Sequence, residues 1–579
     1  MEKNRLAWES GPWGAGNSRP QARKSLLGLV ALVLFIGLVF TPFPYSHAPN
    51  RILGSFRENS YNAYDSWCPL SDPVVSHNDS LKESEHLFSD VQRSLQVKRL
   101  STAVRVPTES YDDNGEVDED PRWETFLKFH SVLEHLFPLV HSQLELRKVN
   151  RFGLHYEWKG SDDLLKPILF MAHQDVVPAD AGSAWTYPPY DGYYDGTFVW
   201  GRGAADCKNV LIGILSVIED LISQSFQPRR TIVLSFGFDE ETGGERGATK
   251  LSEALVEKWG PDSFLFILDE GGMGLQTVGD ILYAYPAVGE KGYYDVQVTL
   301  GVQGGHSSKP PPHSGIGIMS DAVLALEGKT YSPRLPKWSP FRRVLECKAK
   351  HSPDKVQPWL RESLLHDREE EIARKLSDEI GEEKWLMQTS QAVDVISGGI
   401  KVNALPETVK VSINHRIAIH ESQDNVNQHI RQVLEPIAEK YGLVFKGIDP
   451  PGEGPDVDDI DITGTLELSV LQTLPIAPLS PTDNNVWAIF SGTLRSVFES
   501  TESGKGKTVV PVGNVMTGNT DTTHYWDLTH NIYRYSPARD GTRLNVHAID
   551  ERMEITAHLE GMRLYYDLIR NFDSWDDDE

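Results

Sequence analysis

Ile168-Leu-Phe-Met-Ala-His-Gln-Asp-Val-Val-Pro178 is the stretch whose reading decides the fold. Its five unbroken apolar residues, Ile168 to Ala172, read as a strand buried on both faces, the pattern of a parallel sheet. The run stops at His173, and Asp175 follows two residues later. In open α/β sheets, ligands gather beyond the carboxyl ends of the strands. Alternate residues of an extended segment point the same way. His173 can therefore hold a metal while Asp175 orients its ring.

Two more apolar runs follow the same plan. Residues 231–238 lead into Asp239-Glu240-Glu241, and residues 264–268 into Asp269-Glu270. Adjacent carboxylates at the exit of a buried strand repel unless cations or protons neutralise them. On an extended segment Glu240 and Glu241 face opposite ways, which suits a division into general base and ligand. Between the first two runs, Gly201-Arg-Gly-Ala-Ala-Asp206 forms a tight turn that presents Asp206 ahead of a helix over residues 209–223. Leu211, Ile214, Leu215, Ile218, Leu221 and Ile222 share one face of that helix. Cys207, beside Asp206, reads as a small packing residue. Far downstream, residues 516–526 form a polar loop carrying His524. Two imidazoles and several carboxylates without thiolates suit zinc or a similar divalent ion. A bridging carboxylate allows a pair of ions ~3.5–4 Å apart.

Elsewhere the pattern changes. Residues 124–140 have helical spacing that Pro138 ends or kinks, and residues 150–159 alternate like a strand. From about residue 288, the segments 294–300 and 407–417 alternate as antiparallel strands covered on one face. Residues 422–440 read as an amphipathic helix with Val426, Ile430, Val433, Leu434 and Ile437 inward. A charged helical stretch at 353–385 looks like an insertion. The expected fold class is α/β: a sheet domain with helices on both faces, an inserted smaller α+β lid domain, and one N-terminal transmembrane helix. The sheet domain takes residues 116–287 and 451–572, and the lid 288–450, with its charged insertion at about 330–390. Residues 44–115 read as a stalk and lead-in, and 573–579 as a solvated acidic tail.

The transmembrane helix is expected from the apolar run at 25–40, which with its flanks to residue 43 approaches the roughly 17–20 residues of a bilayer span. Arg19, Arg23 and Lys24 precede it, so the tail 1–24 is expected in the cytoplasm and the body across the membrane. Prolines and aromatics follow Phe40 in place of a small-x-small cleavage site, favouring an uncleaved type II signal anchor. Asn78-Asp-Ser80 is then a lumenal glycosylation acceptor. A net charge of −27 argues against nucleic acid or an anionic membrane surface as partner. Cys68, Cys207 and Cys347 allow one disulfide at most.

His173-x-Asp175, Gly201-Arg-Gly-Ala-Ala-Asp206, Asp239-Glu-Glu-Thr-Gly243, Leu268-Asp-Glu-Gly271, Gly304-Gly-His-Ser-Ser308 and Asn519-Thr-Asp-Thr-Thr-His524 occur in order. Together they resemble the aminoacylase/carboxypeptidase family of co-catalytic zinc peptidases, over about residues 120–572. The resemblance implies two zinc ions, one on His173 and Asp269, the other on Glu241 and His524, with Asp206 bridging. It makes Glu240 the proton acceptor and Asp175 the support of His173. Some relatives use a Glu in the fourth motif, which leaves Glu270 as the alternative to Asp269. It also implies that His306, on the lid, polarises the scissile carbonyl. Arg416 would grip a free carboxylate through its planar fork, and Asn403 would help hold the substrate.

The implied activity is hydrolysis of the peptide bond next to a free C-terminal residue in small peptides of Gly-X type. The alternative is an N-acyl, or N-fatty-acyl, amino acid amidohydrolase. A catalytically inactive membrane receptor would show eroded ligands, and here every position is filled. In dimeric relatives a partner subunit delivers the lid histidine. The resemblance thus implies a homodimer through the lid, or a charged insertion that takes the place of dimerisation. It places the body in the vacuolar lumen or another lumen of the secretory pathway.

Overall fold

Short, continuously apolar strands buried on both faces build the centre of the main sheet. The computed structural model describes residues 66–75, 79–180, 182, 184–379, 381–448 and 464–576. The expected tail and anchor at 1–43, the Asn78 acceptor and residues 577–579 lie outside the described residues. Among the described residues no helix is long and apolar enough to cross a membrane.

Eight strands form the main sheet: β1 (Glu145–Val149), β2 (Gly153–Trp158), β3 (Ile168–His173), β4 (Ile232–Gly237), β5 (Phe266–Asp269), β6 (Ala287–Glu290), β7 (Asn514–Met516) and β8 (Ile532–Arg534). Their spatial order is β1-β2-β4-β3-β5-β8-β6-β7. The four central strands β4, β3, β5 and β8 run parallel, so their carboxyl ends share one edge. Every residue of β3 is buried. Ile168, Phe170 and Ala172 enter a core shared with the helices Lys208–Ser223, Asn485–Glu499 and Ile555–Ser574. Leu169 and Met171 enter a second core beneath the helix Ala248–Trp259. Each such side chain contributes about 1.5–3 kcal/mol on burial, and the two cores fix the register that brings the strand ends level.

The lid is a five-stranded sheet, ordered Ser390–Gly398, Thr408–Ile417, Gly292–Val302, Gly464–Leu474 and Leu443–Lys446. Gly292–Val302 and Thr408–Ile417 pair antiparallel, and their alternate residues Val296, Val298, Val411 and Ile413 bury against the helices Gly315–Glu327 and Gln423–Tyr441. The strand Gly464–Leu474 belongs to this sheet, so the lid reaches beyond the expected boundary at 450.

Three other expectations change. Within the expected stalk, Ser84–Phe88 and Asp90–Val104 are helical, and Leu87, Leu100, Ala103 and Val104 are buried. Apolar contacts with the domain replace the periodicity that this segment lacks. In the expected solvated tail, Asp573 is buried at the end of the last helix, where it accepts the Arg229 and Arg230 backbone N–H groups at 2.7 and 2.8 Å. The charged insertion folds as the helices Pro340–His351, Pro358–Leu365 and Glu369–Glu379. It packs against Tyr283, Tyr285, Val510, Val512 and Val515, outside the lid sheet.

Cys68 and Cys347 form a disulfide that ties the lead-in to the first of these helices, and Cys207 is free and buried. Under denaturing, non-reducing conditions one thiol per chain should react with a thiol reagent, and three after reduction. Cys347→Ser should cost about 2–4 kcal/mol, read as a lower thermal midpoint.

Candidate metal centre

The carboxyl edge of the sheet gathers the side chains that the strand ends were expected to supply. His173 closes β3, 2 % exposed. Its Nδ1 lies 3.0 Å from the backbone oxygen of Asp175 and 3.4 Å from Asp175 Oδ1. That contact places the ring proton on Nδ1 and leaves Nε2 as the ligating atom. Asp175, fully buried, is a hub. Its Oδ1 accepts the Glu240 N–H at 3.1 Å, and its Oδ2 accepts the Glu241 N–H at 3.1 Å and the Ser110 hydroxyl at 2.7 Å. One carboxylate thus sets both the His173 ring and the turn carrying the two glutamates.

Asp206 stands between two imidazoles. Its Oδ1 is 3.5 Å from His173 Nε2, and its Oδ2 is 3.3 Å from His547 Nε2. His547 Nε2 also lies 3.1 Å from Glu241 Oε2. Glu240 Oε2 is 3.9 Å from His173 Nε2. Arg543 Nη2 approaches Asp206 Oδ1 at 3.2 Å and Glu270 Oε2 at 3.7 Å, which brings Glu270 to the same cleft. Asp269, by contrast, turns one oxygen back onto the N–H of Glu270 at 2.8 Å.

The charges show what this crowding costs. Burial pushes Glu240 well above the usual carboxylate range, with Glu241 adding to it. Burial and Asp206 push Glu270 up to about 8, and burial takes Asp269 to about 6. Asp206 goes the other way, well below its ordinary value: burial opposes its charge, and Arg543, His173 and His547 outweigh that. Hydrogen bonds to Asp206 and Glu241 hold His547 up to about 10.

The donor set fits a divalent cation. His173 Nε2 and Asp206 Oδ1 are buried, face each other and have no hydrogen-bond partner. Such orphaned atoms are costly unless something binds them. Ligand atoms of His173, Glu240 and Glu241, and those of Asp206, Glu241 and His547, each lie within 4.8 Å of one another. Cys207 comes equally close to His173 and Asp206. However, its thiol accepts the His173 N–H at 3.2 Å, and burial pushes its pKa far up, so it packs as a neutral group.

Residues 169–571 match the sequence profile of peptidase family M20/M25/M40. The chain belongs to this family. It is 36 % identical to carboxypeptidase S of Saccharomyces cerevisiae, over 96 % of this chain and 97 % of that protein. It is 30 % identical to the mouse (Mus musculus) N-fatty-acyl-amino acid synthase/hydrolase PM20D1, over 84 % of this chain and 90 % of that protein. Among solved structures it shares the fold of human carnosine dipeptidase 1, with a TM-score of 0.57 and 15 % identity over 85 % of this chain and 98 % of that one. The M20 peptidases are metal-dependent enzymes.

Within this M20 fold, His173, Asp175, Asp206, Glu240 and Glu241 converge as the sequence predicts, but His524 does not. Its Nδ1 lies 2.9 Å from Thr249 Oγ1 and its Nε2 2.9 Å from the Gly243 carbonyl oxygen. The turn Asp521–His524 packs on the helix Ala248–Trp259, whose Thr249 engages Nδ1, while the Gly243 carbonyl after the Glu240–Thr242 turn engages Nε2. The histidine that reaches Asp206 and Glu241 is His547, in the loop before the last helix. Its signal was His547-x-x-x-Glu551, a histidine and an acid flanking a turn in an acidic stretch.

Glu240 and Glu241 lie on a single 3-10 turn, Glu240–Thr242, and not on an extended segment. Asp175 draws both of their N–H groups inward, and this overrides strand alternation. Ser110, within the expected stalk, is a direct support of Asp175.

The lid residues are divided. Arg416 Nη1 donates to Asn519 Oδ1 at 2.8 Å, joining the lid to the 516–526 loop. His306 and Asn403 sit on the exposed ribbon of Gly305–His306 and Ala404–Leu405, and no contact among the described residues links them to the cluster.

Metal titration of the full-length chain should weaken in His547→Ala and stay unchanged in His524→Ala. At pH 7, below the value of about 10 at which His547 sheds its proton, metal uptake must displace that proton. Uptake by His547→Ala should therefore release about one proton fewer than wild type. Intact binding in His547→Ala with loss in His524→Ala would reverse the assignment.

Proposed function

We propose that this M20 chain is a metallo-carboxypeptidase that cleaves the peptide bond next to a free C-terminal residue of small peptides. The observation that carries the reading is Asp206 set between His173 and His547, with Glu240 alongside. His173, Asp206 and Glu270 would hold one zinc ion, and Asp206, Glu241 and His547 the other. Asp269 spends one oxygen on the Glu270 N–H, whereas Glu270 shares Arg543 with Asp206, which favours Glu270 over Asp269 in this set. When bound, such ions lower the pKa of water and polarise a carbonyl.

This chain's own residues supply the rest. Glu240, whose burial raises its proton affinity, accepts the proton of the attacking water and returns it to the leaving amine. Asp175 keeps the proton of His173 on Nδ1 and fixes the turn that carries Glu240. Arg416 offers a carboxylate-gripping fork beside the polar loop. Asn403 and His306 belong to the lid ribbon, and His306 would stabilise the oxyanion when that ribbon meets a site.

The similarity to the PM20D1 hydrolase keeps N-acyl amino acid hydrolysis as the second reading, because both reactions need an amide beside a free carboxylate. Carboxypeptidase S is the more similar over more of the chain, which favours the peptide. The complete cluster argues against an inactive receptor.

In the full-length chain, Glu240→Gln should retain its metal and lose about 10²–10⁴-fold in turnover. Arg416→Ala should raise KM for a Gly-X dipeptide and leave its C-terminal amide, already a poor substrate, unaffected. Faster turnover of an N-acyl amino acid than of any dipeptide would favour the second reading, and a fully active Glu240→Gln would remove Glu240 as base.

Two further assignments rest on sequence and surface. The apolar run at 25–40 would anchor the chain as a type II membrane protein, and the Cys68–Cys347 disulfide suits a lumenal body, as in the vacuole. The lid's edge strand Ser390–Gly398 and the loop after it expose Val395, Ile396, Ile400 and Val402, an apolar rim suited to a second copy. Protease treatment of sealed membranes should spare the body and remove the N-terminal tail. Light scattering should show a dimer that Ile400→Asp with Val402→Asp reduces to monomer.

A further inference from the structure

The buried carboxylate of Glu551 has no place in the chemistry, yet it binds the loop that presents Asp206. Its Oε1 accepts three backbone N–H groups, from Gly203 at 3.0 Å, Ala205 at 2.9 Å and Asp206 at 3.1 Å. Its Oε2 accepts Arg202 Nη1 at 2.5 Å, in a pair whose side chains are 5 % and 0 % exposed. Its own backbone oxygen accepts the Gly201 N–H at 2.9 Å. The loop is shaped for this. Gly203 has φ +84°, and a Cβ there would lie 2.5 Å from Val176 Cγ1. With glycine, the backbone can turn its N–H groups inward onto a single oxygen.

Glu551 is also four residues beyond His547, on the arm that carries Arg543. Arg543 Nε donates to the Ala205 carbonyl at 2.9 Å. One arm therefore grips the Asp206 loop at its N–H groups, at a carbonyl and at the Asp206 carboxylate, while delivering His547 to the other oxygen of Asp206.

We infer that Glu551 is a positioning residue: it locks the Asp206 loop to the His547 arm, so that both imidazoles meet the one bridging carboxylate. This rests on reading Asp206 as a metal ligand. A glutamine at 551 keeps one oxygen for the N–H groups but turns an NH₂ toward Arg202, donor against donor. Loss of an outer partner of a metal ligand typically weakens binding about 10–100-fold.

The test is metal affinity of the metal-free full-length chain, by chelator competition with zinc and by the visible spectrum of the cobalt form. Glu551→Gln should bind about 10–100-fold more weakly and show an altered cobalt spectrum. Arg202→Met, which spares the three N–H bonds, should fall between it and wild type. Glu219→Gln is the control for burial alone, because Glu219 accepts the N–H groups of Leu139 and Val140. It should lose stability without losing metal affinity.

Wild-type affinity and spectrum in folded Glu551→Gln would overturn the inference. If that variant does not fold, wild-type affinity in Arg202→Met would do so. Asp206→Asn separates the two failures: wild-type binding in it removes the ligand reading and the inference with it, whereas weakened binding there beside wild-type binding in Glu551→Gln removes the inference alone.

Discussion

Carboxylates packed into a water-poor cleft are the constraint on which this structure turns. Two of them 4 Å apart repel by ~4 kcal/mol at the effective dielectric of a protein surface, and more when buried. Outside the facing set, several buried acids are met by pairs of backbone N–H groups. Asp239 takes those of Arg246 and Gly247, Asp573 those of Arg229 and Arg230, and Glu219 those of Leu139 and Val140. At the centre this provision stops. Asp206 Oδ1 and Asp269 Oδ2 accept no hydrogen bond, Asp206 has the ion-pair approach of Arg543, and Glu241 reaches His547. These three acids are satisfied by the backbone, whereas the acids facing one another are left for a cation.

Asp175 and Glu551 connect the two regimes. Each is buried, each spends its oxygens mainly on backbone N–H groups, and each thereby fixes a neighbouring acid. Asp175 holds the turn of Glu240 and Glu241, and Glu551 holds the loop of Asp206. The geometry of the candidate ligands is therefore decided one layer out from them, by acids that need no metal ion themselves. Burial of the strands sets the level of this layer, because β3, β4 and β5 are pinned in register by side chains entering both cores.

What the sequence made legible follows from range. Apolar runs and alternation are local signals, and three of the four central strands, two of the five lid strands and the helix Lys208–Ser223 were readable from them. So were His173, Asp206 and the Glu240–Glu241 pair, since each ends a readable element. His547 was not, because it ends no apolar strand and its loop is fixed by contacts some 340 residues away in sequence, such as Arg543 with Ala205 and Glu551 with Asp206. His524 misled for the complementary reason. It follows a polar loop of the expected kind, but Thr249 of the helix beside it and the Gly243 carbonyl claim its two ring nitrogens. Ser110 was hidden by a segment without periodicity, whose order comes from pairing with residues 174–176.

The insertion changes what the lid can do. It leaves the lid after the helix Gly315–Glu327 and returns at the strand Ser390–Gly398, yet its helices bury against Val510, Val512 and Val515 of the sheet domain. The Cys68–Cys347 disulfide fastens the same helices to the lead-in. Lys291, at the start of the lid, donates to the Trp385 and Gln388 carbonyls at the far end of the insertion. The lid is thus joined to the sheet domain at its two chain crossings, through the insertion, and through Arg416 and Asn519. A hinge that turned freely about two crossings would have to break a buried apolar cluster of several side chains, each worth about 1.5–3 kcal/mol. Motion that brings the exposed His306 ribbon to a site must therefore bend within the lid or come from a second molecule, and a swing of the whole lid is the costly path.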